Sequence, residues 1–147
     1  MIGVLGVDAN CLIYVVEGSN PARQEWLVRE VFLNPGCATV IDSLTIAELL
    51  VKPLRELRSA EVMETRHAIE QMPRLSVLPI DTALAVEAAR IRATTGLKLP
   101  DAVHLAAAVA GGAQAFLTND AGFKRASAFL PVLILDELIA GDATNGG

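Results

Sequence analysis

Short apolar runs alternate with helix-forming stretches along the whole chain, and this alternation is what most narrowly limits its possible folds. Residues 2–7 (IGVLGV), 37–41, 75–80, 115–118 and 131–135 read as strands that are apolar on both faces. Helices are expected at 10–17, 22–33, 43–51, 61–71, 81–94 and 100–110, with a short one after Asp120. Asn34-Pro35-Gly36, Gly96 and Gly111-Gly112 punctuate them, and Pro53 is expected to perturb or end its helix. Such an alternation predicts an α/β fold in which a parallel sheet is covered by helices on both faces, with right-handed crossovers. The chain of 147 residues suits one domain, expected over 1–140, and GDATNGG at 141–147 reads as a flexible tail.

The content of the runs excludes several classes. No segment approaches the ~20 apolar residues needed to cross a bilayer, because 105–117 is interrupted by Gly111, Gly112 and Gln114. The N-terminus has no basic region and Asp8 breaks its apolar run, so a signal peptide is not expected and the protein is assigned to the cytoplasm. Cys11 and Cys37 lie in apolar surroundings with no metal-type spacing and read as reduced core residues. The net charge of −5 sits awkwardly with a polyanionic partner, although carboxylates gathered around bound cations would lower the isoelectric point in the same way.

In open α/β sheets, ligands bind beyond the carboxyl ends of the strands. Asp8 follows the first strand, Asp120 follows the fourth, Asp101 opens a helix, and Glu48 lies one turn into the helix after the second strand. A parallel αβ layer brings these positions to one edge, and four carboxylates there suit a hard divalent cation such as Mg²⁺ or Mn²⁺. Each acid also has a purely structural explanation. Thr45 and Glu48 form a capping-box pattern, Asp101 behind Pro100 suits the helix dipole, and Asp120 can cap the helix that follows it. Asp8 is the least easily explained this way, since a carboxylate directly after a central strand is costly to bury unpaired. Asp42 and Asp81 occupy similar positions and read as helix caps outside the site. Asn10 and Thr118 read either as accessory polar groups that orient carboxylates or metal-bound water, or as turn-forming residues. His104, three residues after Asp101, reads as a buried histidine holding its neighbours or as one approaching the site.

VDANCLIY at the N-terminus, LTIAELL around Glu48, LPDAVHLAAA around Asp101 and FLTNDAGF around Asp120 together resemble the four motifs of PIN-domain nucleases, and most nearly the VapC-type toxins of toxin–antitoxin modules. The resemblance implies a three-layer α/β/α domain whose parallel sheet has the strand order 3-2-1-4-5. It implies that Asp8, Glu48, Asp101 and Asp120 are the metal-binding catalytic acids, with Thr118 and Asn10 at accessory polar positions. It further implies metal-dependent hydrolysis of RNA to 5′-phosphate and 3′-hydroxyl ends, a cognate antitoxin and a homodimer. Lys52, Arg55, Arg58, Arg74, Lys98 and Arg125 are candidates to guide RNA, interleaved with acids that equally suit a solvated surface. A binding module without catalysis, or a metal-dependent phosphohydrolase of another α/β family, are the alternatives. The second lacks the D-x-D start of haloacid-dehalogenase enzymes, since position 10 is Asn10, and no Gly-rich phosphate loop is present.

Overall fold

Five parallel strands form one sheet in the order β3-β2-β1-β4-β5 in a computed structural model that describes residues 3–145. The strands are β1 (Gly3–Val7), β2 (Cys37–Asp42), β3 (Leu75–Leu78), β4 (Ala115–Thr118) and β5 (Val132–Ile134). Helices α1 (Ala9–Glu17), α2 (Pro21–Leu27), α3 (Ser43–Arg55), α4 (Ser59–Gln71), α5 (Thr82–Thr95), α6 (Leu99–Ala110) and α7 (Leu135–Asn145) connect or follow them. The first residue of the expected opening strand, Ile2, and the last two of the expected tail, Gly146 and Gly147, lie outside the described residues.

The period of two along each strand divides the interior between the sheet faces. Leu5, Val7, Ala115 and Leu117 join Trp26, Leu27, Phe32, Leu49, Ile69 and Leu135 on the side of α1–α4 and α7. Phe116 faces the other way, into a core made by α5, α6 and the Ala121–Ala126 3₁₀ turn, where it meets Phe123. The result is the expected three-layer α/β/α arrangement. Small residues let α6 approach the sheet closely. A Cβ on Gly6 would come within 2.3 Å of the Ala108 Cβ, so glycine is required there by proximity.

Four local features depart from the pattern read in the sequence. Pro53 lies inside α3 and the helix continues to Arg55. A π-helical turn, Val28–Phe32, continues α2 without a break. The N-cap of α3 is Asp42, whose Oδ1 accepts from the Thr45 N–H at 3.1 Å; Thr45 is buried within the helix, so Thr45 and Glu48 do not form a capping box. Finally, α7 occupies Leu135–Asn145, where the sequence suggested the end of a strand and a frayed tail. Its Asp142 accepts from Trp26 Nε1 at 2.5 Å and its Asp136 pairs with Arg23 at 2.7 Å, fastening this helix to α2. Among the described residues no helix is long and apolar enough to cross a membrane.

Candidate active site

Topology brings the acids to the carboxyl ends of the three central strands. Asp8 follows β1, which lies between β2 and β4, and its N–H donates to the Leu117 carbonyl at 2.9 Å. The β1–β2 register, Gly6 with Val40, carried two residues on sets Asp8 level with Asp42 on the neighbouring strand. The Thr118 hydroxyl, fully buried at the end of β4, donates to Asp8 Oδ2 at 2.7 Å and accepts from the Asp120 N–H at 3.0 Å. Thr118 thus joins two acids through one oxygen. Asp120 Oδ1 also accepts from the Gly122 N–H at 2.8 Å and caps the 3₁₀ turn, the structural role foreseen for it. Asp101 lies in the first turn of α6, where its negative charge faces the positive end of the helix.

A second chain of contacts ties Glu48 into the group. His104 lies one turn beyond Asp101 on α6 and is 3% exposed. Its Nδ1 is 2.6 Å from Asp42 Oδ2 and 3.3 Å from the Thr45 hydroxyl, and its Nε2 is 2.5 Å from Glu48 Oε1. Both ring nitrogens therefore face carboxylate oxygens, as a doubly protonated imidazolium requires. Burial opposes that charge, but the hydrogen bonds to Asp42 and Glu48 outweigh it and raise the pKa to about 10. His104 is thus both the buried structural histidine and the one that reaches the site. Asp42, set aside as a cap on sequence grounds, is a cap and also the anchor of this chain. A usable signal was present: Asp42 ends the strand beside that of Asp8, and His104 shares a helix face with Asp101.

Asp8 and Asp101 feel both burial and the neighbouring acids. Burial pushes the Asp101 carboxyl above its usual range, and the charges of Asp8, Asp120 and Glu48 push it further, against His104. Burial likewise raises Asp8, with Glu48 adding to it, while Thr118 and His104 pull it down. Among the described residues none of Asp8, Asp101 and Asp120 has a Lys or Arg ion-pair partner. Also among the described residues, no three His, Cys, Asp or Glu side chains are drawn together tightly enough to hold a metal ion as they stand. Asn10 is exposed in the first turn of α1, and no hydrogen bond links its side chain to the acids among the described residues.

The basic candidates separate. Arg74 donates to the main-chain carbonyls of Phe32, Asn34 and Cys37 at the opposite, amino-terminal edge of the sheet. Lys52 pairs with Glu17, and Arg58 pairs with Glu56 and Glu61. Lys98, three residues before Asp101, and Arg125, five after Asp120, are exposed and without ion pairs among the described residues. Two surface grooves, one lined by Glu17, Lys52 and Arg58 and the other by Leu78, Leu84 and Ala110, include none of the four acids.

An open parallel α/β sheet with carboxylates at the ends of its central strands defines a class, and the comparisons with known proteins narrow it. The PIN domain family model matches residues 6–141, so the chain belongs to the PIN-domain family. Solved structures share the fold at low sequence identity. VapBC2 from Rickettsia felis, bound to a promoter DNA fragment, is 16% identical, with a TM-score of 0.70 over 90% of this chain and 98% of that one. A toxin–antitoxin complex from Klebsiella pneumoniae is 22% identical, with a TM-score of 0.67 over 90% and 98%. VapC20 of Mycobacterium tuberculosis, a toxin that cleaves the sarcin–ricin loop, is 15% identical, with a TM-score of 0.66 over 84% and 95%. No curated protein matches the sequence.

Proposed function

We propose that this protein is a divalent-metal-dependent endoribonuclease, the toxin of a toxin–antitoxin pair, with Asp8, Glu48, Asp101 and Asp120 as its metal-binding catalytic acids. The observation that carries the reading is the gathering of the acids at one sheet edge, where Thr118 joins Asp8 to Asp120 and His104, one turn beyond Asp101, holds Glu48. Burial first, and then the charges of Asp8, Asp120 and Glu48, raise the Asp101 carboxyl against the pull of His104, and among the described residues no Lys or Arg pairs with Asp8, Asp101 or Asp120. An all-oxygen donor set of this charge fits Mg²⁺ or Mn²⁺. Asp8 and Asp101 are the principal ligands, and Glu48 and Asp120 complete the shell, bind a second ion or orient water. Asn10 and Thr118 are accessory groups, and Thr118 keeps Asp8 and Asp120 in register.

The bound cation supplies a lowered water pKa and stabilises charge on the phosphate in the transition state. The carboxylates position the attacking water in line with the leaving 3′-oxygen and accept its proton. Water oxygen bonds to phosphorus, the P–O3′ bond breaks, O3′ takes up a proton from solvent, and the products carry 5′-phosphate and 3′-hydroxyl ends. Lys98 and Arg125 hold the RNA backbone beside Asp101 and Asp120. The partners of this reading are RNA, a cognate antitoxin and a second copy of the chain. Support for the toxin role comes from the toxin–antitoxin proteins that share the fold.

The test is cleavage of an end-labelled structured RNA with Mg²⁺ or Mn²⁺ by wild type and by Asp8→Asn purified identically. Metal-dependent cleavage lost in the variant is expected. Equal cleavage by both proteins, or products ending in 2′,3′-cyclic phosphate, contradict the proposal.

A further inference from the structure

We propose that His104, anchored by Asp42, is a positioning residue that fixes the Glu48 carboxylate for metal binding; this rests on the reading of Glu48 as a ligand. Glu48 is 40% exposed at its side chain, and three rotatable bonds separate its carboxylate from α3. Left alone, such a side chain samples several rotamers. Here one oxygen, Oε1, is held by His104 Nε2, and among the described residues Oε2 has no hydrogen bond and remains available to a metal ion. The restraint traces back to rigid backbone. The Thr45 N–H holds Asp42 Oδ1, Asp42 Oδ2 holds His104 Nδ1, and His104 Nε2 holds Glu48. Asp42 and His104 are 1% and 3% exposed, so neither end of the imidazole is free to swing.

The same ring spans two acid-bearing helices. Asp101 and His104 lie one turn apart on α6, whereas Glu48 lies on α3. The imidazole therefore sets where the Glu48 carboxylate stands relative to Asp101. Groups that orient metal ligands in this way alter metal affinity by about 10- to 100-fold when removed.

Two substitutions separate positioning from support of the fold. The amide nitrogen of His104→Asn stands near the position of Nδ1, so it keeps Asp42 as partner but cannot reach Glu48. The longer His104→Gln places an N–H near the position of Nε2 and retains the link to Glu48. Mn²⁺ affinity is measured on the purified full chain by electron paramagnetic resonance of free Mn²⁺, at a temperature where thermal unfolding shows each variant folded. Expected are a loss of about tenfold in His104→Asn, a smaller loss in His104→Gln, and no further loss when His104→Asn is added to Glu48→Gln. Unchanged affinity in His104→Asn, or effects that simply add in the double variant, overturn the inference while leaving the metal site intact. Failure of the wild type to bind Mn²⁺ overturns both the inference and the metal-dependent reading. Should His104→Asn not fold, Asp42→Asn takes its place in the same cycle with Glu48→Gln, with the same criterion.

Discussion

Thr118→Val tests the most tightly specified contact in the site. Valine matches threonine in shape, so the substitution deletes one hydroxyl from a fully buried position. That hydroxyl makes two hydrogen bonds, to Asp8 Oδ2 and from the Asp120 N–H. A hydrogen bond to an ionised buried carboxylate contributes about 1.5–3 kcal/mol. The Asp120 N–H is only part-buried and can turn to water, so its loss adds little. The expected cost is about 2–3 kcal/mol, or a fall of about 5–10 °C in Tm for a chain of this size. Because the bond favours ionised Asp8, its contribution is present above the Asp8 pKa and is lost as pH falls through it. The gap between variant and wild type therefore narrows on acidification. Urea unfolding of both proteins in chelator at two pH values measures this, with Thr118→Ser as the control that keeps the hydroxyl. A valine variant within about 0.5 kcal/mol of wild type at neutral pH would refute the assigned hydrogen bonds.

Three further outcomes follow from the same geometry. The folded-state pKa of Asp8 is raised, so between its unfolded and folded values the native state holds more protons and stability falls as pH rises; Asp8→Asn removes this contribution, and melts in chelator should show a less negative slope with pH than wild type. Gly6→Ala sets a methyl group against Ala108 and the Phe116 ring and should cost about 1–3 kcal/mol in urea unfolding. Lys98→Glu and Arg125→Glu, made in an Asp8→Asn background so that RNA survives, should weaken RNA binding and each reduce its salt slope by about one in filter-binding assays; an unchanged slope removes them from the RNA path.

The sheet was legible because its strands are apolar on both faces and are separated by glycines, prolines and caps. The α7 helix was not, because β5 ends at Ile134 and α7 starts at Leu135 with no turn residue between them. Its later part, GDATN, has the composition of a tail, and contacts from Trp26 and Arg23 on α2 help hold the helix against the domain. Pro53 was read as a breaker by its local rule, yet it is buried within α3, where packing outweighs the missing hydrogen bond. Asp8, Asp101, Asp120 and Glu48 could be named because strand ends and helix starts converge on one edge. The Asp42–His104–Glu48 chain was legible only in part: the positions of Asp42 and His104 hinted at it, but a contact between residues 62 positions apart depends on how α6 packs against β2 and α3. For the same reason Arg74 looked like a surface cation and is instead a clamp on main-chain carbonyls.

The central claim is that the acids form one cation-binding unit, and calorimetric titration of Mn²⁺ into wild type and Asp101→Asn tests it most directly. Because Asp8 and Asp101 both hold protons more tightly than free carboxylates, binding to wild type in mildly acidic buffer should release protons, seen as a dependence of the heat on buffer ionisation enthalpy. Asp101→Asn should bind far more weakly. Mn²⁺ binding of equal strength in both proteins, without proton release, would contradict the account.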